Sequence, residues 1–400
     1  MRVSHVITRL IVGGAQENTV ATVLGLHRQP GVTVKLISGP TSGPEGSLES
    51  CFAGVPEIFA IAPALIRAVR PSTDWRAYRY LTRVFRAERP DIVHTHSGKA
   101  GVLGRLAARA AGIPIIVHTI HGPSFGSFQG AVPNLFYRFA ECFVGRFTDH
   151  FISVASAMSE QYLAAGIGRR EQHTRIFSGF PLEAFLSARN DPALRRQLGI
   201  GEQDIVVGKI ARLFELKGHD DLISVAPELV KNCPALKFLF IGDGVLRDHL
   251  QGRIRQLGLE RHFIFAGLLP PAEIPRYVGI MDILVHLSRR EGLPRALPQA
   301  LAAARPVIAF DCDGAGEVCL ENETGFLIPT GDLTLLNQRV LQLARDATLR
   351  ERLGRRGQQW VSERFPVQRM VDEIHALYLR LMESLPEDLS SASLAEATRN

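Results

Sequence analysis

The first half of the chain alternates short apolar runs with segments of helical period. The runs are apolar on both faces and rich in β-branched residues, as strands of a parallel sheet covered on both sides are. Helical patterns near 15–29, 73–88, 98–111 and 131–147 separate them. The pattern predicts a doubly wound α/β domain with strands at 3–10, 33–39, 91–97, 114–120 and 150–156.

The second half repeats this alternation after a polar, proline-containing segment at 180–191. Strands are predicted at 205–213, 237–244, 262–269, 282–288 and 306–311, and beyond residue 329 the chain is predicted to be helical. We therefore expect an α/β protein of two doubly wound, Rossmann-like parallel-sheet domains facing an interdomain cleft. The expected bounds are 1–185 and 186–365, followed by a helix at 366–384 and a disordered tail at 385–400.

Composition supports two folded domains and shows where charge concentrates. The chain has 400 residues, 46% of them hydrophobic and 22% charged, which is typical of folded globular proteins. Residues 1–190 hold 20 Lys and Arg against 12 Asp and Glu, whereas the rest holds 26 against 28. The basic first half predicts contact with an anionic ligand or surface.

Cysteine usage and hydropathy narrow the class of protein further. The five cysteines are scattered without a CxxC pair, which favours reduced thiols over a disulfide frame or a zinc site. Charged residues interrupt the apolar start MRVSHVITRLIVGG, and no run of about 18 apolar residues follows it. We expect a cytoplasmic protein, with peripheral attachment to the inner face of the membrane as the alternative.

In open parallel sheets, ligands bind outside the carboxyl ends of the strands, so polar residues after strands are candidates. Gly13 and Gly14 follow the first strand, where a glycine pair lets backbone N–H groups approach an anion or simply forms a tight turn. His121 ends a strand beside Gly122 and could serve in proton or hydrogen-bond chemistry, unless it is only a satisfied polar residue.

Two cations follow the first strand of the second half. Arg212 and Lys217 lie in KIARLFELKGH, where they could hold phosphate oxygens or be two solvated surface cations. After a later strand, REGLPRALPQALAAARP places Glu291 just before a helix that Pro294 would begin. The amides of Leu293 and Arg295 could face phosphate, and Gln299 follows about two helical turns after Glu291.

Two patterns could hold a metal ion, and both are better explained otherwise. His94 and His96 alternate on a predicted strand, but no carboxylate or thiol clusters near them in sequence. Asp311 and Asp313 form a DxD in FDCDGAGE, where an Asp at a strand end followed by Gly is typical of a turn. We expect no metal and no cofactor.

Together these stretches resemble the retaining glycosyltransferases of family 4, which have the GT-B fold. The resemblance is strongest over EGLPRALPQALAAARPVIAFDCDGAGEVCLENETGF, and GKIARLFELKGHDDLI and DIVHTHSGKAGVLGRLAARAAGIPIIVHTIHG support it. It runs from the VGGAQ loop to the last helices. It implies a nucleotide-sugar donor, most often a UDP-sugar, and a last helix that crosses back to the first domain.

The resemblance also implies roles for individual residues. The diphosphate would be held by Arg212, Lys217 and the amides after Glu291, and the Gly13–Gly14 loop would close over it. Glu291, with Gly292, would bind the donor sugar, and His121 matches the active-site histidine of the family. Where the family has a second Glu on the ribose, this chain has Gln299, so altered ribose contact is expected. The implied chemistry is metal-independent, with sugar transfer and retention of anomeric configuration.

A basic helix face in the first half is a candidate for contact with the acceptor. Arg76, Arg79, Arg83 and Arg86 recur at helical spacing. This is either a solvated basic face or a contact with anionic lipid or a lipid-pyrophosphate acceptor. Nucleic acid is not expected, because no aromatic residues interleave with the stripe on the same face.

The expected activity is glycosyl transfer to a glycan or lipid-linked acceptor in bacterial cell-surface polysaccharide or lipopolysaccharide synthesis. Two alternatives stay open. A nucleotide-sugar epimerase of the UDP-N-acetylglucosamine 2-epimerase type would share the diphosphate site, although the Glu291 stretch resembles transferases better. A catalytically silent nucleotide-sugar-binding module is the other, and Gln299 favours it slightly.

Overall fold

The computed structural model describes residues 1–43, 46–122, 124–126 and 130–385. The chain divides into two compact units, with one boundary between Phe180 and Pro181 and the other between Pro366 and Val367. The first unit contains the final helix as well as residues 1–180. The tail expected to be disordered lies, after residue 385, outside the described residues.

The first unit is built on a seven-stranded parallel sheet. Its order is β3-β2-β1-β4-β5-β6-β7, so the direction of winding reverses between β1 and β4. The central strands are buried on both faces, as their apolar runs predict. The strands are β1 (Arg2–Ile7), β2 (Thr33–Ser38), β3 (Phe59–Ile61), β4 (Ile92–His96), β5 (Ile115–Ile120), β6 (His150–Ser153) and β7 (His173–Arg175).

Helices cover the first sheet, and the last of them comes from the chain terminus. The final helix, α14 (Val367–Glu383), packs against α1 through a stripe of buried residues that includes Met370, Val371 and Tyr378. Gly25 of α1 permits this contact, because a Cβ there would come within 2.3 Å of Val371 Cγ2. The other helices of the unit are α1 (Gly14–His27), α2 (Pro71–Glu88), α3 (Gly98–Ala111), α4 (Ala131–Gly145) and α5 (Ser156–Ala164).

The second unit repeats the design with six parallel strands. The order is β10-β9-β8-β11-β12-β13, so winding reverses between β8 and β11. The strands are β8 (Ile205–Ile210), β9 (Leu236–Ile241), β10 (Phe263–Gly267), β11 (Ile283–His286), β12 (Val307–Phe310) and β13 (Gly325–Ile328). The helices are α6 (Glu183–Leu186), α7 (Pro192–Gln197), α8 (His219–Asn232), α9 (Arg247–Gln256), α10 (Ile274–Gly279), α11 (Ala296–Ala302), α12 (Leu333–Arg345) and α13 (Ala347–Arg364).

The prediction of two doubly wound parallel sheets is confirmed, with every predicted strand present. The pattern missed the edge strands β3, β7 and β13, which have only three or four residues each. Such strands are too short to show a period, and β7 (HTR) is polar. Across the described residues, no helix has the length and apolar character needed to span a bilayer.

Candidate functional site

The reversal of winding in the second unit brings two loops together. Residues 211–218 follow β8 and residues 287–295 follow β11, and these two strands are neighbours in the sheet. The carboxyl ends of parallel strands at such a switch point form a crevice between diverging loops. This position is where the sequence predicted Arg212, Lys217 and Glu291 to act.

Backbone geometry locks the two loops to each other. The amide of Arg289 donates to the carbonyl of Leu216 at 2.8 Å, and both Leu216 (φ 64°) and Gly218 (φ 67°) are left-handed. A Cβ on Gly218 would lie 2.1 Å from the Leu287 carbonyl oxygen, which no real side chain could do. Glycine is therefore required at residue 218 for the loops to approach.

Glu291 is the centre of the site. Its Oε1 accepts from the Lys217 ammonium at 2.5 Å and lies 3.4 Å from His286 Nε2. Burial alone would raise the pKa of Glu291, but His286 and Lys217 outweigh it and hold the pKa well below its usual range. Both recorded contacts use Oε1, so within the described residues Oε2 is left as the acceptor available to a ligand.

Asp313 fixes the backbone of Glu291. Its Oδ2 accepts from the Glu291 amide at 2.7 Å, and the Gly314 amide donates to the Gly292 carbonyl at 3.1 Å. Asp313 is itself left-handed (φ 49°), a conformation that Asp tolerates better than most residues. Where the sequence predicted a turn, the structure has a short 3₁₀ helix, Asp313–Glu317, whose first residue supports Glu291.

A polar layer lies beneath this site, and sequence reasoning missed it. Lys209 on β8 is fully buried, and burial lowers its pKa to about 7. Its Nζ and both ring nitrogens of His219 have no hydrogen-bond partner among the described residues. His286 is also buried, and burial lowers its pKa. The signal in the sequence was a Lys or His inside an apolar strand, as in IVVGKI and ILVH.

The remaining predicted residues of this unit surround Glu291 more loosely. Arg212 is exposed, with its guanidinium 4.9 Å from the centroid of the Phe214 ring. The Leu293 amide donates no hydrogen bond within the described part of the chain. Arg295 precedes α11, and Gln299 lies one turn further on the same partly exposed face. At seven residues α11 is short, so its dipole adds little to anion binding.

The first unit places two predicted features after its central strands. Gly13 precedes α1 in an extended conformation (φ 175°), and its carbonyl accepts from the Glu17 amide at 2.9 Å. Gly14 is exposed at the start of this 14-residue helix, after β1. The loop therefore offers a helix N-terminus at the switch point of the first sheet.

His121 follows β5 and joins a cluster of histidines. Its Nε2 lies 3.1 Å from His96 Nδ1, and burial lowers the pKa of His121 to about 4, so the ring is neutral at pH 7. His5, His94 and His96 have ring nitrogens within 4.8 Å of one another, a spacing that could hold a metal ion. Sequence reasoning dismissed His94 and His96 without seeing that β1 places His5 beside them.

The side chains around Glu291 are suited to binding hydroxyl groups and anionic oxygens. An ionised carboxylate with one free oxygen accepts hydrogen bonds from hydroxyl groups, and Lys217 and Arg212 can contact anionic oxygens. Gly13, Gly14 and His121 belong to the first unit, whereas Arg212, Lys217, Glu291, Gly292, Leu293, Arg295 and Gln299 belong to the second. The structure brings Lys217 and Glu291 into direct contact and keeps Arg212 out of that ion pair.

Two family models match the chain, one in each half. Residues 190–360 match the family described as glycosyl transferases group 1. Residues 13–176 match the glycosyl transferase 4-like domain. The first match includes Arg212, Lys217 and Glu291, and the second includes Gly13, Gly14 and His121.

Two relatives and one solved structure illustrate what this chain is similar to. EpsD of Bacillus subtilis (strain 168), whose name assigns it provisionally as a glycosyltransferase, is 32% identical over 76% of this chain and 81% of its own. The UDP-Gal:alpha-D-GlcNAc-diphosphoundecaprenol alpha-1,3-galactosyltransferase of Escherichia coli is 28% identical over 80% of this chain and 83% of its own. HepE of Anabaena, solved in complex with UDP-glucose, superposes with a TM-score of 0.77 at 22% identity, covering 95% of this chain and all of that one. The fold is therefore GT-B.

Proposed function

This chain belongs to the GT4-type glycosyltransferases, and from that premise we propose that it moves a sugar from a UDP-sugar to a lipid-linked glycan, with retention of anomeric configuration. The Escherichia coli relative is named for a UDP-galactose donor and a diphosphoundecaprenol acceptor, which supports this choice of donor and acceptor. The proposed setting is bacterial cell-surface polysaccharide or lipopolysaccharide synthesis.

The observation that carries the proposal is the state of Glu291. Its carboxylate is held ionised by His286 and Lys217, fixed at its backbone by Asp313, and open at Oε2. Such a group binds sugar hydroxyls, which donate hydrogen bonds to it.

Departure of the nucleoside diphosphate builds negative charge that must be stabilised. Lys217 and Arg212 supply cations, and the amides of Leu293 and Arg295, in the loop that also carries Glu291, are proposed to donate to the phosphate oxygens. The Gly13–Gly14 loop and Gln299 are proposed to contact the diphosphate and the ribose. We propose that these groups act without a metal, since Asp313 of the DxD is already engaged in binding the Glu291 amide.

Retention is proposed to follow front-face attack. The bond from the sugar C1 to the diphosphate oxygen breaks as the acceptor oxygen bonds C1 on the same face, and the acceptor proton passes to the departing phosphate. His121, neutral at pH 7, is proposed to orient the sugar or the acceptor.

Glu291→Gln tests the central role. The amide keeps the shape but loses the charge, so transfer should fall at least about a hundredfold while UDP binding, measured by calorimetry, changes little. Lys217→Ala should weaken UDP binding itself, because it removes a cation from the diphosphate.

Two surface variants serve as controls for these changes. Glu228→Gln and Lys231→Ala alter exposed residues at the far end of α8 and should leave binding and transfer unchanged. Full transfer by the Glu291→Gln variant, with any donor that the wild-type protein uses, would contradict the proposed role of Glu291.

The proposed lipid-linked acceptor would be reached from a membrane surface, and two helices of the first unit fit that role. The arginines of α2, Arg76, Arg79, Arg83 and Arg86, are exposed. Five exposed apolar side chains form one stripe along α4, namely Val132, Leu135, Phe136, Phe139 and Phe143.

The charges on α4 agree with a membrane partner. Arg138 and Arg146 are exposed near the apolar stripe, whereas the one acid of the helix, Glu141, is buried in an ion pair with Arg105 at 2.6 Å. An apolar face whose exposed charged neighbours among the described residues of α4 are cations is suited to an anionic lipid surface. We propose peripheral binding to such a surface through α4 and α2.

Liposome flotation separates the two helices. Reversing the four arginines of α2 to Glu should abolish binding at low salt, and Phe136→Ser with Phe139→Ser should weaken binding at all salt concentrations. If the wild-type protein does not float with anionic vesicles, the membrane proposal is excluded. The proposed transfer reaction would be unaffected by that result.

A further inference from the structure

A continuous chain of hydrogen bonds runs through the first unit and ends at His121. Its links are Thr119 Oγ1 to His94 Nε2 (2.6 Å), His94 Nδ1 to Tyr378 Oη (2.5 Å), Tyr378 Oη to His5 Nε2 (3.4 Å), His5 Nδ1 to His96 Nε2 (2.9 Å) and His96 Nδ1 to His121 Nε2 (3.1 Å). We refer to these six residues as the histidine chain.

The sheet and the last helix assemble the histidine chain. His5 of β1 is in register with His94 of β4, and His96 of β4 is in register with Thr119 of β5. Tyr378 comes from α14, 284 residues after His94 and 373 after His5, and bridges these two histidines. Every member except His121 is almost fully buried. A polar network this deep is stable only if each of its members is satisfied.

Proton counting leaves two arrangements. Burial lowers the pKa of His5 to about 3 and the pKa of His121 to about 4, and it holds the pKa values of His94 and His96 well below their usual range. Each ring is therefore neutral and carries one proton, as do the two hydroxyls. Five bonds use five of the six protons, and the fully buried Tyr378 must donate its own rather than accept from both neighbours, because its hydroxyl has no other acceptor among the described residues. All four imidazoles are therefore protonated at Nδ1 or all four at Nε2.

The buried end of the chain selects the direction. If the rings carry their protons at Nε2, His94 donates to Thr119, whose hydroxyl then has a proton with no acceptor among the described residues. If they carry them at Nδ1, Thr119 donates to His94, and the proton left over is on His121 Nδ1, at the partly exposed end. A buried unsatisfied donor costs free energy, so the second arrangement is favoured.

We propose that the histidine chain holds His121 in the Nδ1–H tautomer, so that its outer nitrogen donates a hydrogen bond to an oxygen of the bound ligand. His96, His5, Tyr378 and His94 are then positioning residues that act through His121. The role of that hydrogen bond in catalysis rests on the proposed function, whereas the tautomer itself does not.

The same residues explain why a metal is the weaker interpretation of the cluster. Each nitrogen of His5, His94 and His96 already has a partner within the histidine chain. A metal ion bound among them would displace some of these bonds and leave Tyr378 or Thr119 without an acceptor. Added Zn²⁺ is therefore expected to leave these rings unchanged.

Long-range 1H–15N correlation spectra of the full-length protein labelled at histidine test the proposal directly. At pH 7, His5, His94, His96 and His121 should each show a protonated Nδ1 and an unprotonated Nε2, with and without Zn²⁺. A mixture of tautomers among the four rings, or Nε2–H throughout, would overturn the proposal. So would stoichiometric Zn²⁺ binding that shifts the three buried rings.

Tyr378→Phe tests the functional consequence. It removes one hydroxyl from the middle of the chain, so His121 should lose its single tautomer, and kcat for transfer should fall about tenfold with UDP affinity unchanged. Tyr80→Phe removes a hydroxyl that donates to the Ile61 carbonyl at 3.2 Å, outside the chain, and should leave both readouts unchanged.

The two readouts keep this inference separate from the proposed function. Unchanged transfer by the Tyr378→Phe variant, together with scrambled tautomers, would contradict the positioning role alone. Absence of transfer by the wild-type protein, with the four Nδ1–H tautomers present, would refute the proposed function and leave the tautomer assignment standing.

Discussion

Lys209 is a buried cation on a central strand, and it carries a cost in stability. Burial lowers the pKa of Lys209 to about 7 from an unfolded value near 10.5. The unfolded chain therefore binds more protons between these values, and stability rises with pH from about 7 to 10.5. Keeping the Lys209 ammonium charged in the folded protein therefore lowers the free energy of unfolding below pH 10.5.

Lys209→Met should therefore stabilise the second unit. The thioether side chain has a similar length and no charge to desolvate, and we expect a gain of about 1–4 kcal/mol at pH 6–7. The gain should shrink as pH rises toward 10. Urea unfolding followed by Trp360, which is buried in α13, measures it in a Trp75→Phe background. A loss of stability at pH 6 would mean that Lys209 is paired.

The buried histidines of the first unit predict a second effect of pH, a loss of stability in mild acid. Burial, as the largest cause, lowers the pKa values of His5, His94, His96, His118 and His121. The unfolded chain gains protons near pH 6.5 while the folded unit does not. Stability should therefore fall as pH drops from 7.5 to 5, each histidine adding a slope that approaches about 1.4 kcal/mol per pH unit.

Urea midpoints of the Trp360→Phe variant, followed through Trp75 of the first unit, measure this slope. His27→Gln changes an exposed histidine on the same unit and should leave the slope as it is. A midpoint that does not change between pH 7.5 and 5 would contradict the assignment of neutral buried rings.

Among residues, the sequence predicted those that follow strands and missed those inside them. Lys217 and Glu291 were predicted to act at one site, and they are in contact. His286 and Lys209 lie within apolar strands, where period alone cannot tell a core position from one that borders a site. His5 and Tyr378 could not be assigned, because their contacts depend on strand register and on a helix from the far end of the chain.

At the scale of elements, the two loops at the β8–β11 switch point act as one unit. Gly218 combines a left-handed backbone with a contact that excludes any Cβ. Gly199 has a similar φ of 69° but open space around it, so it is a matched control within the same unit.

Gly218→Ala should cost more than the backbone strain alone. Gly199→Ala should cost about 1–2 kcal/mol for the left-handed conformation, and Gly218→Ala should exceed this and also weaken UDP binding, because the Leu287 carbonyl must move. Trp360 fluorescence and calorimetry measure the two effects. Equal costs for the two variants, with UDP binding intact, would show that the loops adjust independently of each other.

The order of strands and helices was predictable because long, buried strands alternate with helices of clear period. Helix bounds agree closely, as in α3, which was expected at 98–111 and spans Gly98–Ala111. The short edge strands were not predictable, since β3 has three residues and no period to detect. The GT-B fold followed from the resemblance of motifs rather than from these patterns.

At the scale of the whole molecule, the proposed function divides between two units of similar design. The second unit holds the carboxylate and cations of the candidate donor site, and the first holds His121, the histidine chain and the basic and apolar helix faces. The charge of the sequence also differs between the halves, being basic in the first and near neutral in the second. Donor chemistry and acceptor contact can therefore be tested by separate variants.

The central claim is transfer from a nucleotide sugar with retained configuration, and NMR of anomeric signals tests it most directly. The purified protein is incubated with each of a panel of UDP- and GDP-sugars, first alone and then with a lipid-linked glycan acceptor. We predict that one UDP-sugar is consumed at an appreciable rate only when the acceptor is present. The reaction should release UDP and a product with the anomeric configuration of the donor. Conversion of one intact nucleotide sugar into another, inversion at the anomeric carbon, or no consumption of any donor with acceptor present would contradict the account.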